Sequence, residues 1–202
     1  MSFKITKPVY LIEAFSGVGT QAMALRDLGV NFVYGKTSDW DVNATASYKA
    51  IHHSEDNTDY SKDMSKEELV EALYKMGIST DGKTPLTKQQ INRKGEKWLR
   101  TTYNNFKACH NLGSITNIHA EDLGIDEENY TTIFTYSYPC QSISVSGKNT
   151  GMKKGSGTRS ALLWEVERIL KECNELKCLP TVLQMENVDA VYNKNNMSDF
   201  QE

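Results

Sequence analysis

Cysteine is scarce in this chain, with Cys109, Cys140, Cys173 and Cys178 in 202 residues and no CxxC pair among them. That excludes a disulfide framework and suits a reducing compartment, so a cytoplasmic protein is expected. Histidine is equally sparse. His52, His53, His110 and His119 form no metal-ligand spacing, because neighbours in a chain point apart on most backbones, and no metal is expected. No apolar run approaches the roughly 18 residues of a membrane span. The N-terminal MSFKITKPVYLIEAF lacks a long apolar core and a small-residue cleavage pattern, so it reads as a first strand. Repeats and low-complexity tracts are absent. Basic excess is missing too: the net charge is −3, which weighs against a nucleic-acid partner when the whole chain is averaged.

Read locally, the charge tells a different story. From Tyr136 to Trp164 the chain carries Lys148, Lys153, Lys154 and Arg159 and no acidic residue. From Thr87 to Lys107, Glu96 stands alone against six basic residues. The acids gather instead in 55–71 and 121–128. Segregation of this kind can place a phosphate-facing surface on an acidic chain, although 87–107 reads equally well as an ordinary solvated face. The length suits one domain, or one domain plus a fragment.

The order of elements points to an α/β fold. VYLIEAF (9–15) is a short apolar run that ends in SGVGT, a buried strand entering a glycine turn. A helix over about 20–28 follows, closed by Gly29, then a strand at 31–37 and a helix N-capped by Asp41. Residues 55–114 interrupt this rhythm. Ser65 and Glu68 form a capping box before LVEALYKM, and Ile91, Trp98, Leu99 and Phe106 recur at helical spacing, so a helical insertion is expected there. Strands near 115–119 and 131–137, a loop over 138–157, a helix at about 159–173 and a strand at 181–186 complete the pattern. A mainly parallel sheet flanked by helices follows from it.

Gly17-x-Gly19-x-x-Ala22, after a strand and before a helix, has the spacing of a nucleotide-binding turn. Without a Cβ the backbone approaches a ligand closely, and the helix N-terminus offers free N–H groups. Asp39, at the end of the second strand, can accept bonds from ribose hydroxyls, and Trp40 offers a face for an adenine. Dinucleotide and S-adenosylmethionine sites share this arrangement, so the residues leave the ligand class open. Asp122, in AEDL at the expected third strand end, could hold an adenine amino group or simply cap a turn.

Two further strand ends carry reactive groups. Tyr138-Pro139-Cys140-Gln141 opens a loop rich in serine and glycine, and Cys140 stands on the rim where open α/β sheets bind ligands, with positive charges nearest to it. Glu186-Asn187-Val188 terminates the apolar strand TVLQM, where partial burial would raise the carboxyl pKa enough for proton donation near neutrality. FSGVGT, PCQSISVSGK with GMKKGSGTRSALLWEVERI, and MENV together resemble the DNA (cytosine-5)-methyltransferase family in motif and order. The resemblance spans 9 to about 192 apart from 55–114.

That resemblance implies a Rossmann-like S-adenosylmethionine-dependent methyltransferase fold, with S-adenosylhomocysteine as product and double-stranded DNA as partner, of the kind found in restriction–modification systems of bacteria and phages. It implies that Phe15, Gly17, Gly19 and Thr20 line the cofactor, with Asp39 on the ribose and Trp40 against the adenine. Asp122 and Leu123 would reach the adenine's amino edge, and Pro139 and Leu162 would complete the pocket. Cys140 becomes the nucleophile that adds to C6 of a flipped cytosine, Glu186 (with Asn187 beside it) engages N3, and Arg159 supports the catalytic loop or the base. The chain departs from the family pattern at Glu13, Thr20 and Asp39, where Asp, Gly and Glu are usual. No QxRxR-type arginine strand or variable recognition region follows Asn187, so 1–202 reads as one incomplete catalytic domain whose target recognition resides in another segment. Three other readings use the same residues: an inactive cofactor-binding fragment, an RNA cytosine-5 methyltransferase, and a nicotinamide-dependent oxidoreductase. The last leaves PCQ and ENV unexplained.

Overall fold

A computed structural model describes residues 5–139, 154–155 and 159–189. Four parallel strands form one sheet in the order β2-β1-β3-β4, where β1 is Val9–Ala14, β2 Phe32–Ser38, β3 Thr131–Tyr136 and β4 Val182–Met185. Helices α1 (Thr20–Asp27) and α2 (Val42–His52) follow the first two strands, and α6 (Leu163–Glu175) precedes the last. This is the expected α/β class with an all-parallel sheet between helices, consistent with a Rossmann-like methyltransferase fold.

The central strand shows why its sequence is an apolar run with no alternation. On one face of β1, Ile12 and Ala14 are buried with Phe134 of β3 against Val166, Ile169 and Cys173 of α6. On the other, Val9, Leu11 and Glu13 are buried as well, and Glu13 is bonded to both α1 and α2. Strands covered on both faces read this way.

The segment between α2 and β3 builds a second core. α3 (Lys66–Lys75), α4 (Lys88–Asn92) and α5 (Glu96–Ala108) pack Leu69, Leu73, Ile91, Leu99 and Phe106 together with Ile78 and with Val42 of α2. Capping boxes start two of these helices, at Ser65 with Glu68 and at Thr87 with Gln90, and satisfy N–H groups that would otherwise lack partners.

The strand expected near 115–119 does not form. Residues Ile115–Asn117 make a 3₁₀ turn, and Ala120–Leu123 make another. Ile115 and Ile118 still enter the core, but the backbone bonds of this stretch go elsewhere. Ile115 and Ile118 carbonyls accept from the Arg168 guanidinium at 3.3 and 2.8 Å, so a side chain of α6 takes the place of a neighbouring strand. The helix expected from 159 begins as a 3₁₀ turn, Arg159–Leu162, and becomes α-helical at Leu163. Among the described residues no helix is long and apolar enough to cross a membrane.

Candidate functional site: a cavity on the carboxyl rim of the sheet

Because all four strands run the same way, their carboxyl ends meet on one rim, and the loops that follow the strands begin there. After β1 the chain turns sharply. Phe15 takes a left-handed backbone (φ 57°), which is costly for a bulky residue and persists only where surroundings enforce it. Gly19, also left-handed, caps α1, and a Cβ there would stand 2.5 Å from the Tyr48 ring. That close approach, rather than ligand contact alone, requires glycine at this position.

Asp39, after β2, holds the glycine turn in place. Its Oδ2 accepts the Gly17 N–H at 2.9 Å and its Oδ1 the Asp41 N–H at 2.8 Å. Burial pushes the Asp39 carboxyl above its ordinary range, while the N–H bonds from Asp41 and Gly17 pull the other way and the Asp41 charge adds to the rise. Beneath the turn, Glu13 is buried and accepts from Tyr48 Oη at 2.6 Å and from Ala22 N at 3.3 Å. Desolvation raises its pKa against those two bonds.

A cavity of about 610 Å³ opens beside this turn. Phe15, Asp39, Trp40, Pro139 and Leu162 line it. Gly17, Gly19 and Thr20 do not: the glycines form the turn behind Phe15, and the exposed Thr20 gives its hydroxyl to Gln21. A Cβ built on Gly17 would meet open space.

Asp122 and Leu123 also lie away from the cavity. Asp122 accepts the His119 N–H at 2.8 Å and so caps its own turn, and Leu123 is buried in the core below the sheet, its carbonyl taking the Tyr10 hydroxyl. With Ile115–Asn117 folded as a 3₁₀ turn, the wall is supplied by Gly113, Ser114, Ile115, Thr116 and Asn117. Sequence reasoning missed these residues, and it missed Asn111, which holds them. Asn111 is buried; its Oδ1 accepts from Asp39 N and Gly113 N, and its Nδ2 donates to Asp39 O and Thr45 Oγ1. One side chain thus ties the end of β2 to the opposite wall. The signal lay in an asparagine two residues before a glycine, too common to single out.

Cys140 lies outside the described residues, and Arg159 is described only as the start of its 3₁₀ turn. The neighbours of Cys140 are placed, however. Asn187 Nδ2 donates to Tyr138 O at 2.9 Å, and Glu186 N donates to Tyr136 O at 3.1 Å. The segment after β4 is therefore tied to the residues that lead into Cys140. Glu186 itself is exposed and accepts from Ser137 Oγ at 2.7 Å. The partial burial expected of it is absent, because β4 is the edge of the sheet among the described residues and leaves that carboxylate in water.

A parallel sheet between helices, with a glycine turn after its first strand and a cavity on its carboxyl rim, defines an α/β protein of the Rossmann-like class. The particular family comes from sequence comparison: residues 75–202 match the profile of C-5 cytosine-specific DNA methylases, and the chain belongs to that family. It is 36% identical over 196 residues to the orphan methyltransferase M.SssI of Spiroplasma monobiae. It is 32% identical over 192 residues to the type II methyltransferase M2.ScrFI of Lactococcus lactis subsp. cremoris. These matches cover 96% and 94% of this chain and 50% of each relative, so the chain spans about half the length of the curated relatives it matches.

Proposed function

We propose that this chain is the cofactor-binding and catalytic part of an S-adenosylmethionine-dependent DNA (cytosine-5)-methyltransferase acting on double-stranded DNA in the cytoplasm, with S-adenosylhomocysteine as product. The observation that carries the reading is the rim cavity, in which Asp39 and Trp40 stand beside the glycine turn and Pro139, adjacent to Cys140, forms part of the wall.

The residues present fit an adenosine cofactor. Each Asp39 oxygen accepts one amide bond and keeps lone-pair capacity for ribose hydroxyls. Trp40 supplies a flat apolar face, and Gly17 leaves open space at the turn. Bound there, S-adenosylmethionine supplies an electrophilic methyl carbon on sulfur. The remaining work belongs to the chain. Cytosine C5 is a weak nucleophile, and addition of the Cys140 thiolate to C6 makes it reactive. Glu186 counters charge at N3, and its solvent-facing position in the present chain suits a group that becomes enclosed when a base enters. After transfer the C5 proton leaves and the Cys140–C6 bond breaks. A stacked duplex hides C6, so the cytosine must be flipped out, at a cost of a few kcal/mol that pocket contacts offset.

The share of the relatives that the chain spans supports a second reading of the chain on its own: it binds cofactor without turnover, and target recognition resides in the remaining half. Titration calorimetry with S-adenosylhomocysteine, together with transfer of tritiated methyl groups to duplex DNA and to transfer RNA, tests both. The expected result is cofactor binding by this chain that survives Cys140→Ser, and transfer to DNA by the extended enzyme that does not. Full transfer by Cys140→Ser would overturn the mechanism, and preference for RNA would overturn the substrate.

A further inference from the structure

One wall of the cavity comes from the helical segment rather than from the sheet. Gly77, Asp81, Gly82, Lys83 and Pro85, all between α3 and α4, face Trp40, Asp41 and Ala44. This loop is joined to the end of β2 by backbone bonds, Ser79 N to Trp40 O at 2.7 Å and Val42 N to Ser79 O at 3.0 Å. Ile78 anchors it in the helical core, fully buried. The turn is also set from within. Asp81 Oδ1 accepts from Lys83 N at 2.8 Å, Thr84 N at 3.0 Å and Ser79 Oγ at 2.9 Å. Bonds from Lys83 and Thr84 hold the Asp81 carboxyl down at about 2, so it stays ionised and the turn keeps its shape at any physiological pH.

Lys83 stands out against this background. It is the one cationic residue lining the cavity among the described residues, and its charge acts on Asp81 without closing to an ion pair. The other charged lining groups, Asp39, Asp41 and Asp81, are occupied by backbone N–H groups.

We propose that the helical segment is part of the cofactor site: the Asp81–Pro85 loop covers the adenine held against Trp40, and Lys83 donates to an acceptor nitrogen of that ring. The inference rests on the S-adenosylmethionine reading above. A nucleoside with its ribose on Asp39 and its base on Trp40 presents the base to the loop that is bonded to Trp40. An ammonium group has only donors, so it matches the ring nitrogens of adenine and not the exocyclic amine. The methionyl carboxylate, the other group a cation could take, lies beyond the ribose on the far side from the base. The two assignments therefore differ in which ligand fragments respond to Lys83.

Affinities of S-adenosylhomocysteine and of 5′-methylthioadenosine, which lacks the methionyl carboxylate, test this in wild type, Lys83→Ala and Lys83→Arg. Competition against a fluorescent adenosine derivative places the weaker fragment on the same scale. Lys83→Ala is expected to weaken both ligands by the same factor, roughly five- to tenfold for one charge-assisted bond at a partly open site. Lys83→Arg should recover most of that loss, and the melting temperature should not move, because Lys83 is exposed. Equal affinities in wild type and Lys83→Ala would overturn the proposal. A loss confined to S-adenosylhomocysteine would overturn it too, by placing Lys83 on the carboxylate. Failure of wild type to bind either ligand would instead remove the cofactor reading on which the inference stands.

Discussion

Gly19 and Gly113 are left-handed residues with no room for a side chain: a Cβ on Gly19 meets the Tyr48 ring, and one on Gly113 falls on the Met76 carbonyl oxygen. The first obstacle is side chain, the His52 and Tyr48 rings, of which Tyr48 is buried and bonded to Glu13 and so yields only at a cost. The second is backbone, which is itself bonded to Ser114 N at 2.8 Å. Gly113→Ala should therefore cost more, about 3 kcal/mol or more in urea unfolding, than Gly19→Ala at about 2 kcal/mol. The reverse order would show that the 113–117 wall yields easily. Glu13 offers a test through pH. Its folded pKa is raised above the ordinary 4.5, chiefly by desolvation, so it favours the folded state when protonated. That contribution is present below the unfolded value and is lost as pH rises through the folded one. Glu13→Gln should thus gain stability relative to wild type as unfolding is measured from pH 4 towards neutrality, and a constant difference would contradict the burial argument. At Glu186, Gln substitution should slow methyl transfer by roughly a hundredfold or more in the extended enzyme while leaving cofactor affinity unchanged. An unchanged rate would show that its bond to Ser137 is structural.

At the scale of elements, α6 does more than cover the sheet. Arg168 is bonded to Glu165 at 2.9 Å and Glu172 at 2.6 Å on its own helix, and across to the carbonyls of Ile115 and Ile118. Glu172 in turn accepts the Ala120 N–H at 3.0 Å. This network holds the 3₁₀ turn that lines the cavity, so Arg168 is a positioning residue. Arg168→Ala should lower stability by about 1–2 kcal/mol, an amount tempered by its partial exposure. In the extended enzyme it should also raise KM for the cofactor several-fold with kcat nearly unchanged. A fall in kcat alone would place its effect elsewhere. Here sequence reading failed for a physical reason: ITNIH has its apolar residues, Ile115 and Ile118, three apart, which suits a turn rather than the alternation of a strand, and residues 110–112 bond to the β2 edge at Thr37 in its place. An arginine fifty residues away satisfies its carbonyls instead. Asp122, expected on the adenine edge, is correspondingly a local cap.

At the scale of the whole molecule, two hydrophobic cores share one cavity. The sheet core sets Phe15, Asp39 and Pro139, and the helical core sets Ile78 and the loop that bears Lys83. Phe106→Ala, deep in the helical core and fully buried, should cost about 3–5 kcal/mol. If the cores are coupled through the cavity, saturating S-adenosylhomocysteine will raise the melting temperature of this variant as it does for wild type. Stabilisation of the sheet core alone, seen as two separate transitions, would show independent units.

The strand–turn–helix opening, the acid twenty residues beyond Gly19, and the order of PCQ and ENV were all legible in the chain, because apolar runs, glycine turns and capping residues act over a few neighbours. Which loops close the cavity was decided only by the tertiary structure. Ser114–Asn117 reaches the site through Asn111 and Arg168, and Lys83 reaches it through Ser79 and Trp40, each across contacts that no local pattern encodes. Exposure of Glu186 likewise depends on where β4 stands in the sheet, and strand position arises from packing, not from the residues of the strand itself.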